Sequence, residues 1–112
     1  MDARFFIRRL ASGNLLLVTH NPPDGISRSH LKAWLSEDDG RSWRGGLLLD
    51  ERLGVSYPDG VQGGDGTVWI IYDYIRTIDR EVYLARFTEA DVLAGTWTSV
   101  VARERMLINE GS

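Results

Sequence analysis

The chain contains no cysteine, which excludes disulfides and thiolate metal sites and removes the usual clue to redox compartment. It has no long apolar run: stretches such as 68–72 are far shorter than the roughly 20 residues a membrane-crossing helix needs. Basic charge is not in excess, with 13 Lys and Arg against 16 Asp and Glu and a net charge of −3. No basic block is available to track a nucleic-acid backbone, so nucleic acid is not an expected partner. The two histidines, His20 and His30, lack metal-ligand spacing, and no metal or cofactor is expected. The opening Met1-Asp2-Ala3-Arg4 shows no charged segment followed by an apolar one, so no signal peptide is read in this chain; its compartment stays open, and it reads as soluble with no membrane partner.

Helical periodicity is also nearly absent. Short runs rich in Val, Ile, Leu, Phe, Tyr and Trp alternate with Gly, Asp, Asn and Pro clusters, the pattern of an all-β chain. Strands are predicted at 4–10, 14–21, 30–36, 42–50, 56–63, 67–74, 81–87 and 97–103. They form two similar sets. Ser12-Gly13-Asn14-Leu15 lines up with Asp65-Gly66-Thr67-Val68, Ser36 with Thr88, and Trp43 with Trp97. A repeat of about fifty residues is the length at which four-stranded propeller blades recur, and an eight-stranded sandwich fits the same strand count. Residues 1–112 are long enough for a single unit only, with blade one at about 4–50 and blade two at about 54–104 on the propeller reading. Thr88-Glu89-Ala90-Asp91, followed by Val92-Leu93-Ala94-Gly95, has capping-box spacing and a terminating glycine, which predicts one short helical turn near 89–94.

The sharpest motif is Ser36-Glu37-Asp38-Asp39-Gly40-Arg41-Ser42-Trp43. A carboxylate at Asp38 can accept hydrogen bonds from turn amides that lack ladder partners, Gly40 can take a positive φ, and Trp43 can pack under the turn. The segment resembles the Asp-box of sialidases, S-x-D-x-G-x-[ST]-W, a structural marker found in BNR-repeat propellers. Calcium is a rival reading of so acidic a loop, but the terminal bidentate Glu of an EF-hand is missing.

The resemblance extends to both sides of the box. Arg28-Ser29-His30-Leu31 precedes it, and Ser56-Tyr57-Pro58-Asp59-Gly60 precedes the run Gly64-Asp65-Gly66-Thr67-Val68-Trp69-Ile70-Ile71-Tyr72-Asp73. Together these resemble the closing portion of a bacterial sialidase (neuraminidase). The resemblance implies a six-bladed propeller of which this chain supplies two four-stranded antiparallel blades. It also implies that Arg28 matches one arginine of the triad that binds the sugar carboxylate, and Tyr57 the catalytic nucleophile. Strand alternation places the loop holding Arg28 and the connection leading to Tyr57 on one face, with the Asp-box opposite. A sialic acid carries its carboxylate on the anomeric carbon, so an Arg fork can hold it, and a neutral phenol meets less repulsion than a carboxylate nucleophile would.

Each assignment has a plainer rival. Tyr57 could be a packed aromatic and Arg28 a solvated loop residue beside Pro22-Pro23-Asp24-Gly25. Asp24 and Asp59 read as turn acids, Arg76, Asp79 and Arg80 as an exposed loop, and His20 as a strand end. Pro58-Asp59 departs from the small polar residue common after the sialidase tyrosine, which leaves the sugar open. The remaining arginines, the acid/base Asp and the Glu that activates the tyrosine have no match here. The expected function is therefore the C-terminal portion of a sialidase-like exo-glycoside hydrolase acting on terminal sugars of glycans, inactive by itself. The alternative is a noncatalytic, lectin-like glycan-binding propeller module. Two blades leave apolar outer faces, to be covered by a homotrimer or by further N-terminal blades.

Overall fold

The computed structural model describes residues 5–21, 29–76, 79–99 and 102–111. Four strands, β1 (Phe5–Arg9), β2 (Leu15–His20), β3 (Leu31–Ser36) and β4 (Arg44–Asp50), form one antiparallel sheet in chain order. A second sheet follows with the same order: β5 (Val55–Gln62), β6 (Val68–Arg76), β7 (Asp79–Phe87) and, after helix α1 (Glu89–Ala94), β8 (Arg103–Gly111).

Alternation decides which faces meet. In β3, Leu31, Ala33 and Leu35 are buried while Lys32 and Trp34 between them are half-buried; in β6, Val68, Ile70 and Tyr72 are buried while Ile71 is exposed. Period-two patterning of this kind gives each sheet one strongly apolar face. Those faces form a common core, in which Leu16, Val18, Leu35 and Leu47 of the first sheet join Val68, Ile70 and Phe87 of the second. β1 lies next to β5 and β4 next to β8, so the strand order runs in the same sense on both sides of the core.

Two hairpins close in the same way. Leu10 N–H donates to Asn14 O and Gly13 N–H to Leu10 O; Gly63 N–H donates to Thr67 O and Gly66 N–H to Gly63 O. Gly13 and Gly66 take φ of 95° and 89°, which a residue with a Cβ resists. These turns, the β3–β4 hairpin and α1 gather at one end of the sheets. The end of β2, the start of β3, the 51–54 crossover and the paired ends of β6 and β7 lie at the other.

The helix is capped as predicted: Thr88 and Asp91 make a reciprocal capping box, and Gly95 ends the helix at φ 72°. It packs on β3 and β4. The approach is closest at Gly45, φ 88°, where an added Cβ would stand 2.1 Å from the Val92 carbonyl oxygen. Gly45→Ala is expected to cost ~2–4 kcal/mol in denaturant melts, from backbone strain plus displacement of α1. Gly13→Ala, with open space around it, is expected to lose only the ~1–2 kcal/mol of the left-handed conformation. Equal losses would show that α1 yields freely to the added methyl.

Three expectations are corrected. The last strand, predicted at 97–103, runs instead as Arg103–Gly111, because Thr98 and Ser99 are tied to the Asp91 carboxylate and Trp97 packs edge-on against Phe87 at 6.0 Å. Arg76, Asp79 and Arg80, predicted on a loop, belong by backbone to β6 and β7, where Arg76 pairs with Asp79. Val68–Arg76 is thus longer than predicted. No helix among the described residues is long and apolar enough to cross a membrane.

Candidate functional site

The apolar run of β4 ends in Asp50, which is completely buried. A carboxylate there requires partners, and the crossover supplies one two residues later. Arg52 donates through Nε to Asp50 Oδ1 at 2.9 Å and through Nη2 to Oδ2 at 2.6 Å, while its backbone N–H reaches Oδ1 at 3.1 Å. From the second sheet, the Tyr72 hydroxyl donates to Asp50 Oδ2 at 2.9 Å. The Arg52 guanidinium lies 3.9 Å from the Tyr74 ring centre and 4.6 Å from that of Tyr83, so the arginine is both forked and stacked. Tyr83 stacks on Tyr72 at 6.0 Å and donates its hydroxyl to Glu81 at 2.9 Å. Arg105 of β8 pairs with Glu51, and its buried Nε stands 3.8 Å from Asp50 Oδ1 without a hydrogen bond.

Electrostatics follow from these contacts. Burial pushes the Asp50 carboxyl upward, but hydrogen bonds from Arg52 and Tyr72 outweigh it and hold the group below its ordinary range. The Arg52 guanidinium is raised chiefly by its hydrogen bonds to Asp50. Burial, followed by the Asp50 charge, pushes the Tyr72 phenol upward, so it stays protonated and serves as a donor. This cluster is an anchor for the crossover.

What the anchor positions is the start of β5. Gly54, at φ 101°, passes so close to β6 that an added Cβ would lie 2.3 Å from the Ile75 carbonyl oxygen; Ile75 N–H donates to Gly54 O at 3.2 Å. His20 at the end of β2 approaches the Val55 carbonyl through Nε2 at 2.6 Å, tying the first sheet to the second. The β5–β6 register then slips between Ser56 and Asp59, which places Tyr57 and the buried Pro58 in a bulge on an edge strand. Proline fits there because no ladder donor is required, and bulges re-aim side chains beside functional sites.

Tyr57 belongs to β5 by backbone, and its side chain lies outside the described part. Arg28 and Asp24 lie outside the described residues. The flanks of their connection are placed: Asn21 N–H donates to His30 O at 2.9 Å, and Ser29 Oγ sits 3.0 Å from His30 Nδ1. Those flanks are at the same end as the crossover.

The Asp-box residues Ser36, Asp38, Gly40 and Trp43 lie at the opposite end. Asp38 Oδ1 accepts from Ser36 Oγ and from Ser42 N–H, each at 2.8 Å, and Oδ2 accepts from Ser42 Oγ at 2.6 Å. Gly40 takes φ 90°, its N–H donates to Ser36 Oγ, and a Cβ added there would stand 3.8 Å from the Trp43 ring. Asp39 is also left-handed at φ 61°, tolerated because Asp is among the few residues that enter this region. The Ser42 hydroxyl and amide, then Ser36, pull the Asp38 carboxyl down to about 2. A carboxyl depressed on folding contributes stability that is present above its unfolded value near 4 and is lost as pH falls through about 2. Asp38→Asn is therefore expected to flatten part of the acid limb of stability against pH, measured by urea melts from pH 5 to 2; an unchanged limb would remove Asp38 from it.

Sequence reasoning did not find the Asp50 cluster. Its local signal is an acid that closes an apolar strand two residues before an arginine, plus tyrosines at 72 and 74. Arg105 and Tyr83 arrive from far along the chain and left no local trace. Among the described residues, no three His, Asp or Glu side chains converge as metal ligands. The chain matches no family model, no curated protein and no solved structure.

Proposed function

We propose that the chain is part of a carbohydrate-processing β-propeller, its two sheets being consecutive blades. More particularly, it is the C-terminal portion of a sialidase-like exo-glycoside hydrolase. What supports this reading is the anchored crossover: the Asp50–Arg52–Tyr72 network holds the start of β5, whose backbone includes Tyr57, at the same end as Asn21 and Ser29, the flanks of the segment that contains Arg28, while the Ser36–Trp43 turn is at the other. The like sense of strand order in the two sheets, last strand passing to first, is what blade-to-blade succession requires.

On this reading Arg28 holds the carboxylate of a terminal acidic sugar, and the Tyr57 phenolate oxygen bonds the anomeric carbon as the glycosidic bond breaks. The phenol proton passes to a carboxylate, and the departing oxygen takes a proton from an acid. Both of those groups would come from other blades.

One observation favours the lectin-like alternative for the chain alone. Asp50 is engaged by Arg52 and Tyr72, Glu81 by Tyr83, and Glu51 by Arg105, so these carboxylates already have donors. The test uses fluorogenic sialosides and a glycan array. The chain alone is expected to bind acidic sugars without turnover, and Arg28→Ala to abolish that binding. In a protein carrying the remaining blades, turnover is expected and Tyr57→Phe should remove it. Binding that Tyr57→Phe leaves unchanged in such a protein, still without turnover, would establish the noncatalytic reading, and silence in both assays would sink the sugar site.

A further inference from the structure

The two sheets are related by a repeat that can be followed residue by residue, because the matched turns share their hydrogen bonds. Leu10, Gly13 and Asn14 stand in the first as Gly63, Gly66 and Thr67 stand in the second. Carrying that offset into the strands makes Leu16 and Val18 the equivalents of Trp69 and Ile71, and Leu15 and Leu17 the equivalents of Val68 and Ile70. The cross-strand partners extend it. Leu35 opposite Leu16 matches Arg86 opposite Trp69, and Trp34 opposite Leu17 matches Ala85 opposite Ile70.

The consequence concerns the two outer faces. The face that the first sheet buries, through Leu16, Val18 and Ala33, is equivalent to the face that the second sheet leaves open. That open face is a shallow apolar groove lined by Asp59, Gly60, Val61, Trp69, Ile71 and Leu84, with Val61 51% and Ile71 39% exposed. Conversely, the face that the second sheet buries, through Val68, Ile70 and Ala85, is equivalent to the outer face of the first. There Leu15, Leu17 and Trp34 are only half-buried and Ile7 is 48% exposed. Contiguous apolar faces of this kind are normally covered.

We propose that these two faces dock on each other between copies of the chain. The outer face of β5–β8 in one copy seats the outer face of β1–β4 in the next, repeating between molecules the contact that joins the two sheets within one. The proposal rests on the blade reading above and concerns the chain by itself, with copies of it standing where further blades would stand. Two lines on the structure select a second copy. The new contact continues an interface the chain already makes, and the two faces differ from each other, so the association is head-to-tail, the kind that closes into a ring when the rotation between copies is right. Three copies give six sheets and bring the Tyr57 strands to one end of a common ring.

The test is mass in solution, measured by size-exclusion chromatography with light scattering on the full chain and on two variants, Ile71→Glu and Leu17→Glu. Both positions point away from the internal core, and far-ultraviolet circular dichroism verifies that each variant keeps its sheets. The wild type is expected at three times the 12.6 kDa chain mass, and each variant alone at a single chain mass. An equimolar mixture of the two variants is expected at twice the chain mass, because each keeps the face the other has lost. A monomeric wild type overturns the proposal. So does a variant that still dimerises alone, which would mean that one face pairs with itself, and so does a mixture that stays monomeric. No sugar enters the measurement, so loss of the glycan site would leave this result standing, and a monomer would leave the glycan assays unaffected.

Discussion

Replacing Asp50 with alanine is expected to destabilise the chain by ~3–5 kcal/mol, a large share of the ~5–15 kcal/mol that holds a domain of this size. The magnitude comes from what the carboxylate leaves behind. The Tyr72 hydroxyl would lose its acceptor inside the core, the Arg52 fork would face apolar surface, and Arg105 Nε would be left beside an empty site. A buried donor stripped of its partner carries its full desolvation penalty, so the loss exceeds the net worth of the bonds themselves. Arg52→Lys separates charge from shape. It retains the positive charge but gives up the fork and the stacking on Tyr74 and Tyr83, with an expected loss of ~1–2 kcal/mol. Urea melts followed by tryptophan fluorescence measure both. If Asp50→Ala falls within ~1 kcal/mol of wild type, the crossover is held by Gly54 and the apolar core, and the network is incidental.

How far this arrangement could be read from the sequence depended on whether its signal was local. The hydrogen-bonded turn at 36–42 was legible because Ser36, Asp38, Gly40 and Ser42 fall within one hairpin, and each residue type has its own reason to be there. The capping box at Thr88 and Asp91 was legible for the same reason. Two meanders with a common repeat were legible from period-two alternation and matched turns. The β8 strand was misplaced because Trp97 and Thr98 look like strand residues, and only the distant demand of the Asp91 carboxylate turns them into a loop. The Asp50 cluster escaped because it joins the crossover to β6, β7 and β8, in contacts between residues as far apart in the chain as Asp50 and Arg105. Of the site residues, the bulge around Tyr57 gives physical sense to Pro58, which had read only as a departure from the family pattern.

Asp91 gives the second large effect, and its sign reverses the usual intuition that a buried acid is a liability. Its two oxygens accept from the backbone and hydroxyl of Thr88, Thr98 and Ser99, at 2.6–3.1 Å. Burial pushes the carboxyl upward, but these donors, led by the Ser99 hydroxyl, overcome it and hold the group well below the ordinary carboxylate range. A depressed folded value means the contribution is complete above the unfolded value near 4 and drains away as pH falls below it, by ~1.4 kcal/mol for each pH unit until the folded value is reached. Asp91→Asn, which keeps the shape but offers one acceptor oxygen in place of two, is expected to cost at least ~3 kcal/mol at pH 7. That gap should narrow as pH drops from 4 toward 2, because the wild type loses what the variant never had. Asp38, Asp50 and Asp65 are depressed too, so the acid limb of the wild type is composite, and the difference between wild type and Asp91→Asn isolates this one group. Parallel stability curves for the two proteins between pH 4 and pH 2 would mean that the asparagine satisfies the same six donors, and that the charge on Asp91 does not hold the 88–99 turn.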